Sequence, residues 1–183
     1  AIYQYIYGKG KKYHLQKYLV RGHKRRREKT GRSVQKVPSR IAGAVMIDER
    51  SRKAQNRIQS GHFETDLMEG TRRTKGALSV TVERKTRYTI LAKVVNKGSK
   101  SAEKVLQKRL KKLQFSSRSK KPIVRSITSD NGSENAHHKN TAQTLQINWY
   151  FCHPYHSWEK GSVENRIGVI RRYIPKGTSL SKY

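Results

Sequence analysis

Residues 78–95 read LSVTVERKTRYTILAKVV, two runs rich in β-branched side chains that are separated by a polar turn. Runs of this kind are typical of paired antiparallel strands. We expect a further short strand at 63–68, so the sequence predicts three antiparallel strands in series. The segment 101–113 then carries apolar residues at helical spacing, and we expect it to form a helix that covers one face of the sheet.

Downstream of this helix, strands and helices alternate. We expect strands at 123–128 and 148–152, and helices at 133–145 and from about 157 to 173. A strand that is reached through a crossover helix usually lies parallel to its neighbour, so the strand at 123–128 should run parallel to the one at 63–68. The predicted fold class is therefore α/β, with a mixed five-stranded sheet flanked by helices and a basic N-terminal arm.

The charge of the chain points to a polyanionic partner. The 183 residues include 42 Lys and Arg against 12 Asp and Glu, a formal net charge of +30. Like charges at this density repel one another unless a polyanion neutralises them, and nucleic acid is the abundant polyanion. We therefore expect DNA or RNA as the partner.

The sequence also bears on location. No stretch reaches the eighteen or so consecutive apolar residues of a membrane-spanning helix, so a membrane is not expected as a partner. Cys152 is the only cysteine, and no signal-peptide pattern opens the chain. These observations lead to the expectation of a cytoplasmic protein.

The first third of the chain differs from the rest. Residues 1–61 hold 17 Lys and Arg and three acids. We interpret them as a basic linker that follows a phosphate backbone, with a short helix within 48–59 and, at 2–7, the end of a motif that begins upstream. Residues 62–183 form the second domain in this division. The linker side chains expected to contact DNA are Lys24, Arg25, Arg26 and Arg27.

Three acids occupy positions that need an explanation in so basic a chain. Asp66 lies inside the first predicted strand, where a carboxylate without a partner would be costly to desolvate. Asp130 ends the fourth strand at an Asn-Gly turn, and parallel sheets present ligands at the carboxyl ends of their strands. If the first and fourth strands are neighbours, Asp66 and Asp130 meet. Glu164 lies on the last helix, one position from the apolar face that docks it.

Three carboxylates in one place suit phosphodiester chemistry. The reaction needs an activated water or hydroxyl and stabilisation of charge on the phosphoryl and leaving oxygens, and two Mg²⁺ or Mn²⁺ ions held by hard oxygen ligands supply both. We therefore expect a metal-dependent nuclease or transferase. Taken singly, Asp130 also fits a simple turn residue, and Glu164 fits a solvated helix residue.

The basic residues around Glu164 leave two interpretations open. Lys160, Arg166, Arg171 and Arg172 flank it in the sequence, and they suit either a solvated helix face or contact with phosphate. Given the charge of the chain, we include these four residues among the predicted DNA contacts.

Cys152, His153 and His156 raise the question of zinc. A single cysteine with two histidines close in sequence fits no ordinary structural zinc site. We expect this segment to form a loop near the active site instead.

Five segments of the chain resemble a known family. They are HFETDLMEG at 62–70, ERKTRY at 83–88, SDNGSE at 129–134, HPYHSWEKGSVEN at 153–165 and IRRYIPKGT at 170–178. Together they resemble the catalytic domain of bacterial insertion-sequence transposases of the thirty family, within the DDE transposase and retroviral integrase group. Thirty-three residues separate Asp130 from Glu164, a spacing typical of such triads.

The resemblance implies a ribonuclease H-like fold, with Asp66, Asp130 and Glu164 as metal ligands and catalytic residues. It also implies that residues 2–7 are the end of an upstream helix-turn-helix DNA-binding region. It implies a DNA transposase that cuts and joins the ends of an insertion sequence, with terminal repeats and target DNA as partners and a homo-oligomer assembled on DNA. A nuclease or integrase of the same fold, and a basic nucleic-acid-binding protein without catalysis, remain the alternatives.

The chain departs from the family at three positions. The family commonly has Trp and Gly in place of Phe63 and Thr65, and Phe in place of Asn135. We expect none of these departures to touch the three acids. Glu64, Glu69 and Glu134 lie near the acids in sequence, but the register of the motifs argues against them as ligands.

Overall fold

The computed structural model describes residues 2–19, 22–25, 41–71, 76–96, 98–115, 123–154 and 156–180. Within these ranges the chain forms six strands and five α-helices, with short 3-10 turns between them. The strands are β1 (Val45–Met46), β2 (His62–Glu69), β3 (Ala77–Glu83), β4 (Thr89–Val94), β5 (Ser126–Ser129) and β6 (Asn148–Phe151). The helices are α1 (Ile2–Tyr7), α2 (Arg52–Gln55), α3 (Ser99–Phe115), α4 (His138–Leu145) and α5 (Gly161–Ile170).

The strands form one mixed sheet in the order β1-β6-β5-β2-β3-β4. β2, β3 and β4 are antiparallel neighbours, and the prediction of three antiparallel strands in series is confirmed. The crossover through α3 brings β5 to the free side of β2, where it pairs in parallel. β6 and β1 extend the sheet with further parallel pairs. The predicted parallel pairing of the first and fourth strands is confirmed.

One strand comes from the segment that we assigned to the basic arm. β1 pairs with β6 and raises the sheet from the five predicted strands to six. α2 follows it, with Ala54 buried and the Ser51 hydroxyl accepting from the Ala54 N–H. A two-residue strand is too short to show an alternating pattern, so no signal in the sequence reveals it. The division of the chain at residue 61 itself stays a prediction.

The helix expected at 133–145 begins later than predicted. Ser133–Asn135 forms a 3-10 turn, and α4 starts only at His138. The side-chain amide of Asn135 donates to the carbonyl of Asp130 (3.2 Å), a local bond that competes with helix formation.

Two other helices are also shorter than predicted. A 3-10 turn at Ser157–Lys160 precedes α5, which ends at Ile170 rather than at 173. The helix expected within 48–59 is limited to the single turn of α2.

Among the helices of the described ranges, none is both long and apolar enough to cross a membrane.

Two apolar clusters hold helices to opposite faces of the sheet. Because side chains alternate along a strand, Phe63 points to one cluster and Met68 to the other. Glu64 and Asp66 therefore share the face of Met68, which packs against α5. The larger cluster, under α3 and α4, consists of Phe63, Leu106, Leu110, Val124, Ile127, Leu145, Ile147, Trp149 and Phe151. The smaller one, under α5, consists of Met68, Val80, Val82 and Val163.

Leu110 tests the packing of α3 onto the sheet. Its side chain is fully buried, whereas Leu91 in β4 is 45% exposed. We expect Leu110→Ala to lower the free energy of unfolding by about 2–5 kcal/mol, because it removes buried methyl groups and leaves a cavity. Leu91→Ala should cost less than about 1 kcal/mol. Urea denaturation of both variants measures the difference, and equal losses would contradict this account of the core.

Candidate active site

Asp66 lies towards the carboxyl end of β2, on the face that packs against α5. Burial raises the pKa of this carboxyl group, an effect that the nearby Lys160 ammonium opposes and the Asp130 carboxylate reinforces. The Oδ1 atom of Asp66 accepts from the backbone N–H of Leu67 (2.9 Å). The second oxygen, Oδ2, is left to contact Lys160.

Asp130 immediately follows β5. The parallel ladder pairs Glu64 with Thr128, so Asp66 and Asp130, two residues further along each strand, come level with each other. The Oδ1 atom of Asp130 accepts from the Asn135 amide (3.3 Å) and from a backbone N–H in the turn (3.2 Å). The turn that ends the strand therefore also fixes the direction of the carboxylate.

A lysine ammonium lies between these two carboxylates. The Nζ atom of Lys160 is 2.7 Å from Oδ2 of Asp130 and 3.2 Å from Oδ2 of Asp66, and the residue is only 2% exposed. Burial disfavours the charge, but the two carboxylates outweigh that effect and raise the pKa of Lys160. Asp66 and Asp130 thus meet, as the predicted topology requires.

Glu164 lies in the first turn of α5 and shares a surface cleft with Asp66. The cleft has a volume of about 650 Å³. Val163 docks α5 against Met68 and the valines of β3, and the next residue is left facing the cleft. Asp66 connects the three acids. It contacts Lys160, as Asp130 does, and it lines the same cleft as Glu164. The basic residues that line the cleft are Arg171, Arg172 and Lys176.

The arrangement fits a divalent cation. Asp66 and Asp130 each direct one oxygen at the same ammonium, so this position already holds a positive charge. Carboxylate oxygens are the hard ligands that Mg²⁺ and Mn²⁺ prefer, and Glu164 borders the adjoining cleft. These three residues could hold such ions, and Lys160 would then compete with the ions for the same oxygens.

The predicted DNA contacts of the last helix lie in different surroundings. Arg171 and Arg172 line the cleft, and Arg171 also donates to the carbonyl of Glu69 (2.6 Å). Arg166 donates to the carbonyl of Arg87 (3.2 Å) and borders a separate pocket of about 380 Å³. Three of the four predicted residues therefore reach an open surface, whereas Lys160 is buried between the acids.

The predicted contacts of the arm are only partly described. Lys24 and Arg25 are exposed. Arg26 and Arg27 lie outside the residues that the structure describes. DNA contact through these four side chains stays a prediction.

Glu64 has a structural role that the sequence analysis missed. The residue is 1% exposed, and its Oε2 atom accepts from the backbone N–H groups of Ser162 (2.8 Å) and Val163 (3.0 Å) at the start of α5. Its Oε1 atom accepts from Nε of Arg84 (2.9 Å). The signal for this role is the position of Glu64 two residues before Asp66, on the same face of β2. Glu64 thus fixes the helix of Glu164 against the strand of Asp66.

Glu134 adds a fourth carboxyl group close to the site. Burial raises its pKa, and the charges of Asp130 and Asp66 contribute to the shift. Its two carboxylate oxygens lie beside Gly132, where a methyl group would collide with them. The Asn-Gly turn therefore brings Glu134 near the acids without making it part of the predicted triad.

One expectation about the departures from the family is wrong. Phe63 lies in the core, and the Thr65 hydroxyl contacts that of Thr81 (3.1 Å), so neither reaches the acids. The amide of Asn135, however, donates directly to a carboxylate oxygen of Asp130. Asparagine at this position is short and polar enough to turn back to its own strand end, as phenylalanine would not.

Glu64→Gln tests whether this carboxylate joins β2 to α5. The change leaves Arg84 buried without its charged partner, and we expect it to lower the free energy of unfolding by about 3–5 kcal/mol. Glu49→Gln, at an exposed acid outside this contact, is the control and should change stability by less than about 0.5 kcal/mol. Guanidinium denaturation compares the two, and a loss no larger than that of the control would show that the contact is dispensable.

Lys160→Met tests competition at the carboxylates. An ammonium and a divalent ion at this range repel each other by on the order of a few kcal/mol, so we expect the Kd for Mn²⁺ to fall by about tenfold or more. Electron paramagnetic resonance of free Mn²⁺, titrated without DNA, measures the Kd. Lys104→Met, an exposed lysine of α3, is the control. Weaker binding by Lys160→Met would mean that the ammonium supports the ion instead of opposing it.

A family model agrees with this geometry. The model of the integrase core domain matches residues 56–157, more than half of the chain. The matched segment contains Asp66 and Asp130.

Transposases of insertion sequences are similar to the chain. The transposase for insertion sequence element IS4351 of Bacteroides fragilis is 39% identical over 142 residues, which cover 78% of this chain and 41% of that protein. Transposase InsI for insertion sequence element IS30A of Escherichia coli (strain K12) is 36% identical over 143 residues, or 78% of this chain and 35% of that protein. The chain thus spans about two fifths or less of the length of these curated relatives.

A solved structure shares the fold. A chain of the simian T-cell lymphotropic virus intasome, solved in complex with PP2A regulatory subunit B56 gamma, superposes with a TM-score of 0.52. The sequences are 16% identical, over 78% of this chain and 45% of that chain. This likeness supports the ribonuclease H-like fold that the resemblance implied. Family model and relatives together confirm that resemblance, and the chain belongs to the integrase core domain family.

Proposed function

We propose that the protein is a DNA transposase that cuts and joins the ends of an insertion sequence. The observation that carries this proposal is the pairing of Asp66 and Asp130 around one cationic nitrogen, with Glu164 on the adjoining cleft. Membership of the integrase core domain family and the transposase relatives support the same activity.

Asp66, Asp130 and Glu164 would hold Mg²⁺ or Mn²⁺, as two ions. When bound, such ions activate a water or a 3′ hydroxyl and stabilise the charge that develops on the phosphoryl and leaving oxygens. The chain itself supplies placement: β2, β5 and α5 each fix one acid, and Glu64 fixes the helix to the strand. A covalent enzyme intermediate is not needed, since water or hydroxyl attacks the phosphorus directly.

The cleft beside Glu164 suits the DNA backbone. Arg171, Arg172 and Lys176 line it, and the net charge of +30 attracts DNA over a longer range. Contacts to phosphate position DNA but do not read its sequence. The proposed DNA partners are the terminal repeats and the target DNA. We propose that a homo-oligomer binds them. A cytoplasmic location stays a prediction.

Asp130→Asn tests the proposed activity. Supercoiled plasmid reports nicking, and end-labelled duplexes with the inverted repeats that flank the coding sequence report strand transfer, each with Mg²⁺, Mn²⁺ or EDTA. The wild type should cut and join, and EDTA or Asp130→Asn should reduce both by at least about 10²-fold, the scale on which loss of one charge-stabilising group slows an enzyme. Glu49→Gln, an exposed acid outside the site, is the control and should keep the activity.

The alternatives give different results in the same assay. Cutting that ignores both the chelator and Asp130→Asn would contradict the mechanism. Metal-dependent cutting without joining would favour a nuclease of the same fold. Salt-sensitive DNA binding without any cutting would favour a basic binding protein.

A further inference from the structure

A second group of metal-binding side chains lies in the loop between β6 and α5. His153, His156 and Glu159 each offer one ligand atom, and these atoms lie within 4.8 Å of one another. We propose that this group binds one Zn²⁺ ion at a site separate from Asp66 and Asp130.

The distances in this group have the size of a coordination shell. The Oε1 atom of Glu159 lies 3.0 Å from Nδ1 of His153 and 3.2 Å from Nδ1 of His156. A tetrahedral zinc ion with bonds of about 2.1 Å keeps its ligand atoms roughly 3.4 Å apart. Two of the three separations are close to that value, so a small adjustment of the side chains brings all three atoms onto one ion.

Asp48 gives His153 the partner that zinc-binding histidines usually have. Its Oδ2 atom lies 2.9 Å from Nε2 of His153, while Nδ1 of the same ring faces Glu159. A neutral imidazole has a single N–H and cannot donate to both carboxylates. With the N–H directed to Asp48, a lone pair points at Glu159, and a cation between them satisfies both. A carboxylate on the far nitrogen of a ligating histidine fixes its tautomer in this way.

The ligand types distinguish this site from the candidate active site. Imidazole together with carboxylate suits Zn²⁺, whereas the all-oxygen set of Asp66, Asp130 and Glu164 suits Mg²⁺ or Mn²⁺. Three protein ligands leave a fourth position for water. The side chains of His153, His156 and Glu159 are 10%, 16% and 18% exposed, so the group reaches the surface at one edge.

Cys152 has no part in the site, although it precedes His153. Its side chain lies in the core, and burial raises the pKa of its thiol to about 12. A zinc ligand must be a thiolate, which this environment opposes. The third ligand is Glu159 instead of the cysteine. The 3-10 turn at Ser157–Lys160 brings Glu159 back to the two histidines.

Zinc at this position would cross-link the loop. Glu159 already accepts from the backbone N–H of His153 through its other oxygen, Oε2 (2.8 Å). The ion would tie the end of β6 to the turn that carries Lys160 into the candidate active site. Its role is therefore to hold the loop, and the site does not depend on transposase activity.

Zinc binding to the full chain, without DNA, tests the proposal. Metal analysis after dialysis gives the stoichiometry, competition with a chromophoric chelator gives the Kd, and Co²⁺ in place of Zn²⁺ gives the strong visible absorption of a four-coordinate ion. We expect one Zn²⁺ per chain, lost in His156→Ala and in Glu159→Gln. Asp48→Asn should weaken binding by about 10–100-fold. Asp48 has a side chain that is 64% exposed, so this variant reports on the site even if the others unfold.

Two matched controls separate this site from others. His14→Ala removes an exposed histidine elsewhere, and Asp130→Asn alters the candidate active site, and both should bind zinc like the wild type. Substoichiometric zinc, binding unchanged by His156→Ala and Asp48→Asn, or zinc lost in Asp130→Asn would overturn the proposal. The readout is metal content and spectrum, so its failure is distinct from a failure to cut DNA.

Discussion

The buried carboxylate of Glu64 is the contact on which the geometry of the candidate active site depends. It accepts from two backbone N–H groups at the start of α5 and from Arg84, so both of its oxygens have donors. A negative charge is favoured at a helix N-terminus, and a buried charge without partners would cost several kcal/mol. Arg84 in turn donates to the carbonyl of Ala54 (2.6 Å), which brings α2 into the same network. Glu64 and Arg84 therefore link β2, α2, α5 and the end of β3.

The basic residues divide into two groups by what surrounds them. Arg84 and Lys160 are buried, and each neutralises a carboxylate that the fold places inside the protein. Arg171 and Arg172 border the open cleft, where charge is available to an external polyanion. The positive charge of the chain is therefore not all available to a partner, because Arg84 and Lys160 are already paired with carboxylates. Glu64, Asp66 and Asp130 each lie beside a cation that the chain itself supplies.

The order of elements could be predicted from the sequence because long, regular patterns encode it. The runs at 78–95 gave β3 and β4, and the crossover rule placed β5 beside β2, which in turn brought Asp66 and Asp130 together. Features that depend on distant partners could not be predicted. Glu64 accepts from the Ser162 N–H, 98 positions away; the strand period places Glu64 on the face of Asp66, but it does not identify this partner. The helix starts were missed for a related reason, since the Asn135 amide and the Glu64 carboxylate set them and periodicity does not.

The loop between β6 and α5 can carry two separate groups of side chains because both of its ends are fixed. Phe151 anchors the end of β6 in the core, and Glu64 fixes the start of α5. Between them lies a 3-10 turn, in which successive side chains point about 120° apart. Glu159 therefore faces His153 and His156, while Lys160, one peptide bond later, faces Asp66 and Asp130. Neighbouring residues of one turn thus belong to two groups of side chains that have no member in common.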